Sequence, residues 1–204
     1  MTGPDEWFQR DFQGAKQAGL MRGAYHFWGF TPGAAQAQNF VRTVKTVGYT
    51  GKNAGELPPM LDLELRRGGS CPRNFSAAQV GAFLNMVTRE MGVKPIIYAS
   101  KPFVDKCMNG DGSLFIGHVL WQPRYQSGST EPADLPRAGG HWKFWQYSEH
   151  GKVPGIDSED VDLNVFRGTL AELQQLAHQS GTAPAPTAPT TPSVPSISSR
   201  SRSS

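Results

Sequence analysis

A chain of 204 residues is long enough for one domain with a sizeable core and, on a scale of roughly 100 to 200 residues per domain, too short for several. Its 20 basic and 17 acidic side chains give a formal charge of +3, and two of the basic ones, Arg200 and Arg202, fall in a Pro/Thr/Ser-rich end. The rest is near neutral with no basic stripe, so no electrostatic argument points to nucleic acid; no run approaches the ~18 apolar residues of a membrane span.

The first element is helical. "PDEWFQRDFQGAKQAGL" spaces Trp7, Phe8, Phe12, Ala15 and Ala18 about one turn apart and meets Gly19 as a stop. "RGAYHFWGF" reads as a buried strand. A second helix is expected over "TPGAAQAQNFVRTVKTVG", with Thr31 as N-cap, Pro32 at the first helical position and Gly48 as its C-cap.

In "LPPMLDLELRRGG" the prolines forbid a helix, and the residues then alternate, with Leu61, Leu63 and Leu65 on one side and Met60, Asp62 and Glu64 on the other. The next helix, "NFSAAQVGAFLNMVTREMG", opens on Ser76 and Gln79 at capping-box spacing. Then come the strand "VKPIIYAS", a short helix around "KPFVDKCM", and the strand-like runs "HVLWQPRY" and "HWKFWQYS". "EHGKVPGIDSED" reads as a loop before "VDLNVF", and Thr169 with Glu172 starts a last helix ending near Gly181.

Helices and apolar strands in repeated alternation define an α/β fold with a largely parallel sheet, in residues 1–180. Residues 181–204 hold almost nothing large and apolar and are expected to be a disordered tail. Cys71 and Cys107 are compatible with a disulfide in an exported protein or with two buried thiols, and their spacing does not decide between them.

Ligand sites of parallel α/β folds lie at the carboxyl ends of the strands. Those ends carry Tyr25 and His26, Asp62 and Glu64, Tyr98, and Trp121; Gln146 and Asp162 follow later. Singly, each has an ordinary structural role available, as a core histidine, a packed aromatic or a loop acid. The acid pair is different. Residues i and i+2 of a strand point the same way with Cα atoms roughly 7 Å apart, so Asp62 and Glu64 share one small space. Burial and mutual repulsion there should keep one of them protonated near neutrality. A protonated acid beside an ionised one suits glycosidic cleavage, in which one group protonates the leaving oxygen and another stabilises the developing cation. Two other readings compete: an edge strand with both acids in water or paired to Arg66 and Arg67, and a Mg²⁺ or Ca²⁺ site built from Asp62, Glu64, Asp162 and His26. A metal-free, cofactor-free glycosidase is favoured.

The runs "GLMRGAYHFW", "LPPMLDLE", "KPIIYAS", "LWQPRY" and "WKFWQYSEHGKVPGIDSEDVDLNVF" together resemble glycoside hydrolase family 25, the Chalaropsis-type lysozymes, over about residues 3 to 178. The resemblance implies a flattened, irregular TIM-like (β/α) barrel that hydrolyses the β-1,4 bond between N-acetylmuramic acid and N-acetylglucosamine of bacterial peptidoglycan. It implies an extracellular or cell-wall enzyme, and a monomer is expected. By position Glu64 is similar to the family's general acid/base, and Asp62 to the carboxylate beside it that orients the N-acetyl group. Asp162 is similar to a further active-site acid, and Tyr25, Tyr98, Trp121 and Tyr125 to residues lining the sugar groove. His26 and Gln146 are counted with the groove. The family's opening strand with its Asp-x-Ser segment, a helix and a second strand have no match here, and "MTGPDEWFQR" has neither the basic nor the apolar region of a secretory signal. An internal start in a truncated gene model is therefore expected, with an unpaired sheet edge and an exposed apolar interior. The competing class is a wall-binding protein that keeps the groove without cleaving.

Overall fold

Pro58 and Pro59 block a helix, and the alternation that follows them makes a central strand. In the computed structural model, which describes residues 3–125, 131–158 and 160–178, that strand is β2 (Met60–Leu63), fourth element in an order that runs α1 (Phe8–Gln17), β1 (Tyr25–Phe27), α2 (Gly33–Lys45), β2. After it come α3 (Ala77–Met91), β3 (Ile96–Ala99), α4 (Lys101–Cys107), β4 (Leu120–Pro123), β5 (Trp142–Gly151), β6 (Val161–Phe166) and α5 (Leu170–Leu176). The tail expected at 181–204 lies outside the described residues.

The six strands form one sheet in sequence order, parallel from β1 to β5, with β6 antiparallel to β5. This is a mixed α/β fold whose curled sheet is a half-barrel. Among the described residues the sheet is open, with β1 and β6 both edges, as the unmatched N-terminal strands lead one to expect at the β1 side. At the β1 edge Tyr25 and Phe27 are 66% and 55% exposed. An edge strand of three residues is short enough to limit its use as a template for pairing.

The outer face of the sheet is the core. Leu61 and Leu63 are fully buried with Ile97, Ala99 and Leu120, against Val80, Phe83 and Leu84 of α3 and Phe40, Val41 and Val44 of α2. Each such leucine stabilises the fold by about 1.5–3 kcal/mol, a gain lost if β2 slipped by one residue and turned its acids into this layer.

Helices α2 and α3 approach closely enough that a Cβ on Gly33 would fall 1.9 Å from the Gln79 carbonyl oxygen, so this position admits only glycine. The contact corrects two cap expectations. Pro32, with extended backbone, is itself the N-cap of α2, and the Thr31 carbonyl instead accepts a bond from Gln36 Nε2. Ser76 does cap α3, accepting from the Gln79 amide, but the Gln79 side chain accepts from Gly33 N at 2.7 Å and does not return to Ser76. The Thr169/Glu172 box at α5 is complete, and that helix ends at Leu176, short of Gly181. Cys71 and Cys107 form a disulfide, tying the β2–α3 loop to the last turn of α4.

At the opposite end of the sheet from the candidate site, Glu56 is buried. It meets Arg22 at 3.5 Å and accepts bonds from Thr50 N, Thr50 Oγ1, Gly51 N and Asn53. Burial pushes its carboxyl up, yet the Thr50 and Asn53 hydrogen bonds outweigh this and hold it below the usual glutamate value. Its contribution is therefore present above the unfolded glutamate value and lost as pH falls through the lower folded one. Glu56→Gln should lower the stability measured by urea unfolding at pH 7 by about 1–3 kcal/mol, and the difference from the parent should shrink progressively below about pH 4.

Candidate active site

Strand register decides which side chains share the inner face. Tyr25 pairs with Met60, Phe27 with Asp62, Asp62 with Tyr98, Tyr98 with Trp121, Trp121 with Phe144 and Phe144 with Phe166. In adjacent strands paired residues point the same way. The inner face therefore gathers Asp62, Tyr98 and Trp121 with Phe27 and Phe144, while Leu61 and Leu63 go to the core. Glu64, one residue beyond β2, continues the inner row. It lies where two concavities meet: one of about 540 Å³ bordered by Tyr98, Tyr125 and Glu149, and one of about 1400 Å³ bordered by Tyr25, Phe27 and Phe30. An extended ligand crossing from one to the other passes over this carboxylate.

Asp62 is largely buried, and its Oδ1 has no hydrogen-bond partner. Desolvation, then the fields of Glu64 and Asp162, raise its pKa to about 8, so it is mostly protonated at neutral pH. Glu64 is raised too, first by burial and then by Asp162 and Glu149, against the nearby Tyr98 hydroxyl, which favours its ionised form. Neither acid pairs with an arginine; Arg66, the nearest in sequence, lies over the Phe30 ring at 4.3 Å.

The phenols beside Glu64 are organised by Gln146. Its Oε1 accepts from Tyr125 at 2.8 Å and, by a short bond, from Tyr98; the two tyrosine oxygens are 3.2 Å apart. Tyr98 stands edge-on to Trp121, centroids 5.2 Å apart, and the Trp121 indole N–H donates to Asn164 Oδ1 at 2.8 Å. Tyr25 is largely exposed, but burial of its hydroxyl end and then Asp62, Asp5 and Asp162 raise its pKa, as expected of a phenol above the acid cluster. Asp162 is exposed on β6 and acts on Asp62 and Glu64 through its field.

His26 is placed differently from the other candidates. It borders the large concavity, but its polar contact is Nε2–H donating to Gln36 Oε1 at 2.8 Å, and its ring is stacked on Phe83 at 5.1 Å. Burial lowers its pKa and keeps it neutral. Gln36 also accepts from Gly29 N and donates to Thr31 O, so His26 helps to hold the turn after β1. Parity foretells this, since 26 alternates with 25 and 27.

Two site residues escaped sequence reading. Glu149 was placed in a loop, whereas β5 continues through it to Gly151; a longer alternation through "WQYSEHG" was the available signal. Asn164 joins the site only through β6 pairing with β5, which places it opposite Gln146.

Paired acids flanked by aromatic rings at the strand ends of an α/β sheet are an arrangement suited to glycosidic-bond chemistry. The comparison with known proteins gives the family: the model of glycosyl hydrolases family 25 matches residues 2–156, and the chain belongs to that family. It is 30% identical over 187 residues to lysozyme M1 of Streptomyces globisporus, covering 86% of this chain and 60% of that protein. It is 34% identical over 171 residues to the uncharacterized protein YegX of Escherichia coli K12, covering 83% and 57%. The chain thus spans less than two thirds of the length of these curated relatives. Among solved structures it is similar to the bacterial lysozyme of Streptomyces coelicolor (29% identity, TM-score 0.74, covering 85% of this chain and 80% of that one). It is also similar to the muramidase of Acremonium alcalophilum (29%, TM-score 0.70, 85% and 81%).

The electrostatics of Asp62 can be checked without substrate. A carboxyl whose folded pKa is raised costs the native state nothing while it is protonated, and its penalty grows as pH rises from the unfolded value toward about 8. Asp62→Asn should raise Tm at pH 8.5 by on the order of 5 °C, with little change at pH 4, as read by calorimetry.

Proposed function

We propose that this chain is a muramidase, hydrolysing the β-1,4 bond between N-acetylmuramic acid and N-acetylglucosamine in bacterial peptidoglycan. The observation that carries the reading is the placement of Asp62 and Glu64 on one inner face beside Tyr98 and Trp121, with both carboxyls pushed toward their protonated forms. Membership of glycosyl hydrolase family 25 and the likeness to lysozymes support it.

Glu64 serves as general acid. It transfers its proton to the glycosidic oxygen as the bond from that oxygen to C1 breaks, and the resulting carboxylate then takes a proton from the water that adds at C1. Asp62 remains protonated at neutral pH and presents its unpartnered Oδ1 to the N-acetyl amide, orienting the group next to the charge that forms at C1. Asp162 adds negative potential, which favours that cation. Tyr25, Tyr98, Trp121 and Tyr125 offer ring faces and hydroxyls to the sugars, with Gln146 fixing two of the hydroxyls. His26 supports the turn that borders the groove. The half-barrel sheet is read as a flattened, irregular (β/α) barrel, acting as a monomer without cofactor or metal. The Cys71–Cys107 disulfide suits an oxidising, extracellular or cell-wall setting; among the described residues no helix is long and apolar enough to cross a membrane.

Release of reducing ends from purified bacterial walls tests the proposal. Glu64→Gln should lower the rate by at least about 100-fold, the usual worth of a positioned general acid. Saturable wall binding without release, unchanged in Glu64→Gln, would show a wall-binding protein in place of an enzyme. The pH dependence of kcat/KM has a stated direction: because burial raises Glu64, activity should persist above the ordinary glutamate range and fall on the alkaline side as Glu64 loses its proton.

A further inference from the structure

Three arginines gather where the larger concavity leaves the acid pair. Arg66 and Arg67 follow directly on β2 and line that concavity; Arg66 and Arg73 line a smaller one of about 580 Å³ that opens beside it, with Phe30 and Ser70 common to both. Among the described residues none of the three has an acidic partner, whereas Arg22 is matched to Glu56 and Arg10 to Asp11. The acids on the walls of the larger space are Asp5 and Asp11 of the α1 side and Glu64 itself.

The segment bearing these arginines is anchored. Its first part closes on itself through Arg66 N donating to Ser70 O and Gly69 N donating to Arg66 O, at 2.8 and 2.7 Å. Asn74 Nδ2 reaches Phe30 O at 3.1 Å, the Arg66 guanidinium lies on the Phe30 ring, and the disulfide ties Cys71 to α4. Little backbone entropy of the loop remains to be lost on binding, and the exposed guanidiniums of Arg67 and Arg73 stand with the stacked Arg66 as a shelf of planar donors, the geometry that suits carboxylates.

Resting on the muramidase reading, we propose that the Arg66–Arg67–Arg73 shelf binds the carboxylates of the short peptide carried by the muramic acid lactyl group, making this site selective for peptide-bearing glycan over bare glycan. The glycan crosses Glu64 on the inner face. The peptide, leaving the sugar ring sideways, runs along the β2–α3 loop, where its acids replace the partners the arginines lack within the chain.

Binding by calorimetry decides this, in a Glu64→Gln background so that nothing is turned over. The ligands are glycan fragments from walls freed of phosphate polymers, with their peptides intact, or removed by an amidase and the lactyl carboxylate so exposed capped as a neutral methylamide. Changing Arg66, Arg67 and Arg73 together to Gln should weaken binding of the peptide-bearing fragment about 10-fold and flatten its salt dependence, while affinity for the bare fragment changes less than about twofold. The corresponding Arg→Lys set, which keeps the charge, should retain at least half of the effect, and unaltered melting of both sets guards against misfolding. Equal weakening for both fragments, or none for either, overturns the shelf and leaves the muramidase reading standing. Failure of the Glu64→Gln parent to bind either fragment overturns both.

Discussion

The site exists because the run from Leu61 to Leu65, β2 and the two residues after it, is asymmetric: three leucines on one face and two acids on the other cannot both be satisfied in any register but one. Burying Leu61 and Leu63 under α2 and α3 commits Asp62 and Glu64 to the inner face, and desolvation there is the first cause of the raised pKa of both. The free energy that packs the core is thus the same free energy that holds an unfavourable charge arrangement in place. Stability and protonation state are coupled through β2 and the residue that follows it.

Around that strand the support is arranged in layers. The inner layer is aromatic and polar, with Gln146 setting the two phenols and Asn164 setting Trp121. Behind the sheet lies a second polar arrangement, His26 to Gln36 to the Gly29–Thr31 turn, which shapes the lip of the groove without facing the acids. The disulfide braces the neighbouring β2–α3 loop, and Asn74 ties that loop to the same turn at the Phe30 carbonyl. Rigidity of this kind is what the proposed muramidase chemistry would need, since it depends on aligning a carboxyl with one glycosidic oxygen.

Local capping shows where short-range signals end. The Thr169/Glu172 box was readable because both partners lie within one turn of exposed helix, where nothing competes for Glu172. The Ser76/Gln79 pattern has the same spacing, yet Gln79 is drawn away to an amide 46 positions distant, because α2 presses on α3 at Gly33 and leaves that amide needing an acceptor. The Thr31–Pro32 start of α2 shifted by one residue for a related reason: Gln36 claimed the Thr31 carbonyl.

Alternation and punctuation in the sequence alone determined the order of helices and strands, the parallel sheet and the pairing of Asp62 with Glu64 on one side of β2, since each depends on neighbours a few positions apart. Only the tertiary structure decided that β5 runs on through Glu149, that His26 faces the helices, that Asn164 meets Trp121, and that β6 pairs antiparallel with β5. Those outcomes turn on strand register and on competition for hydrogen-bond partners between residues tens of positions apart, which no local pattern records.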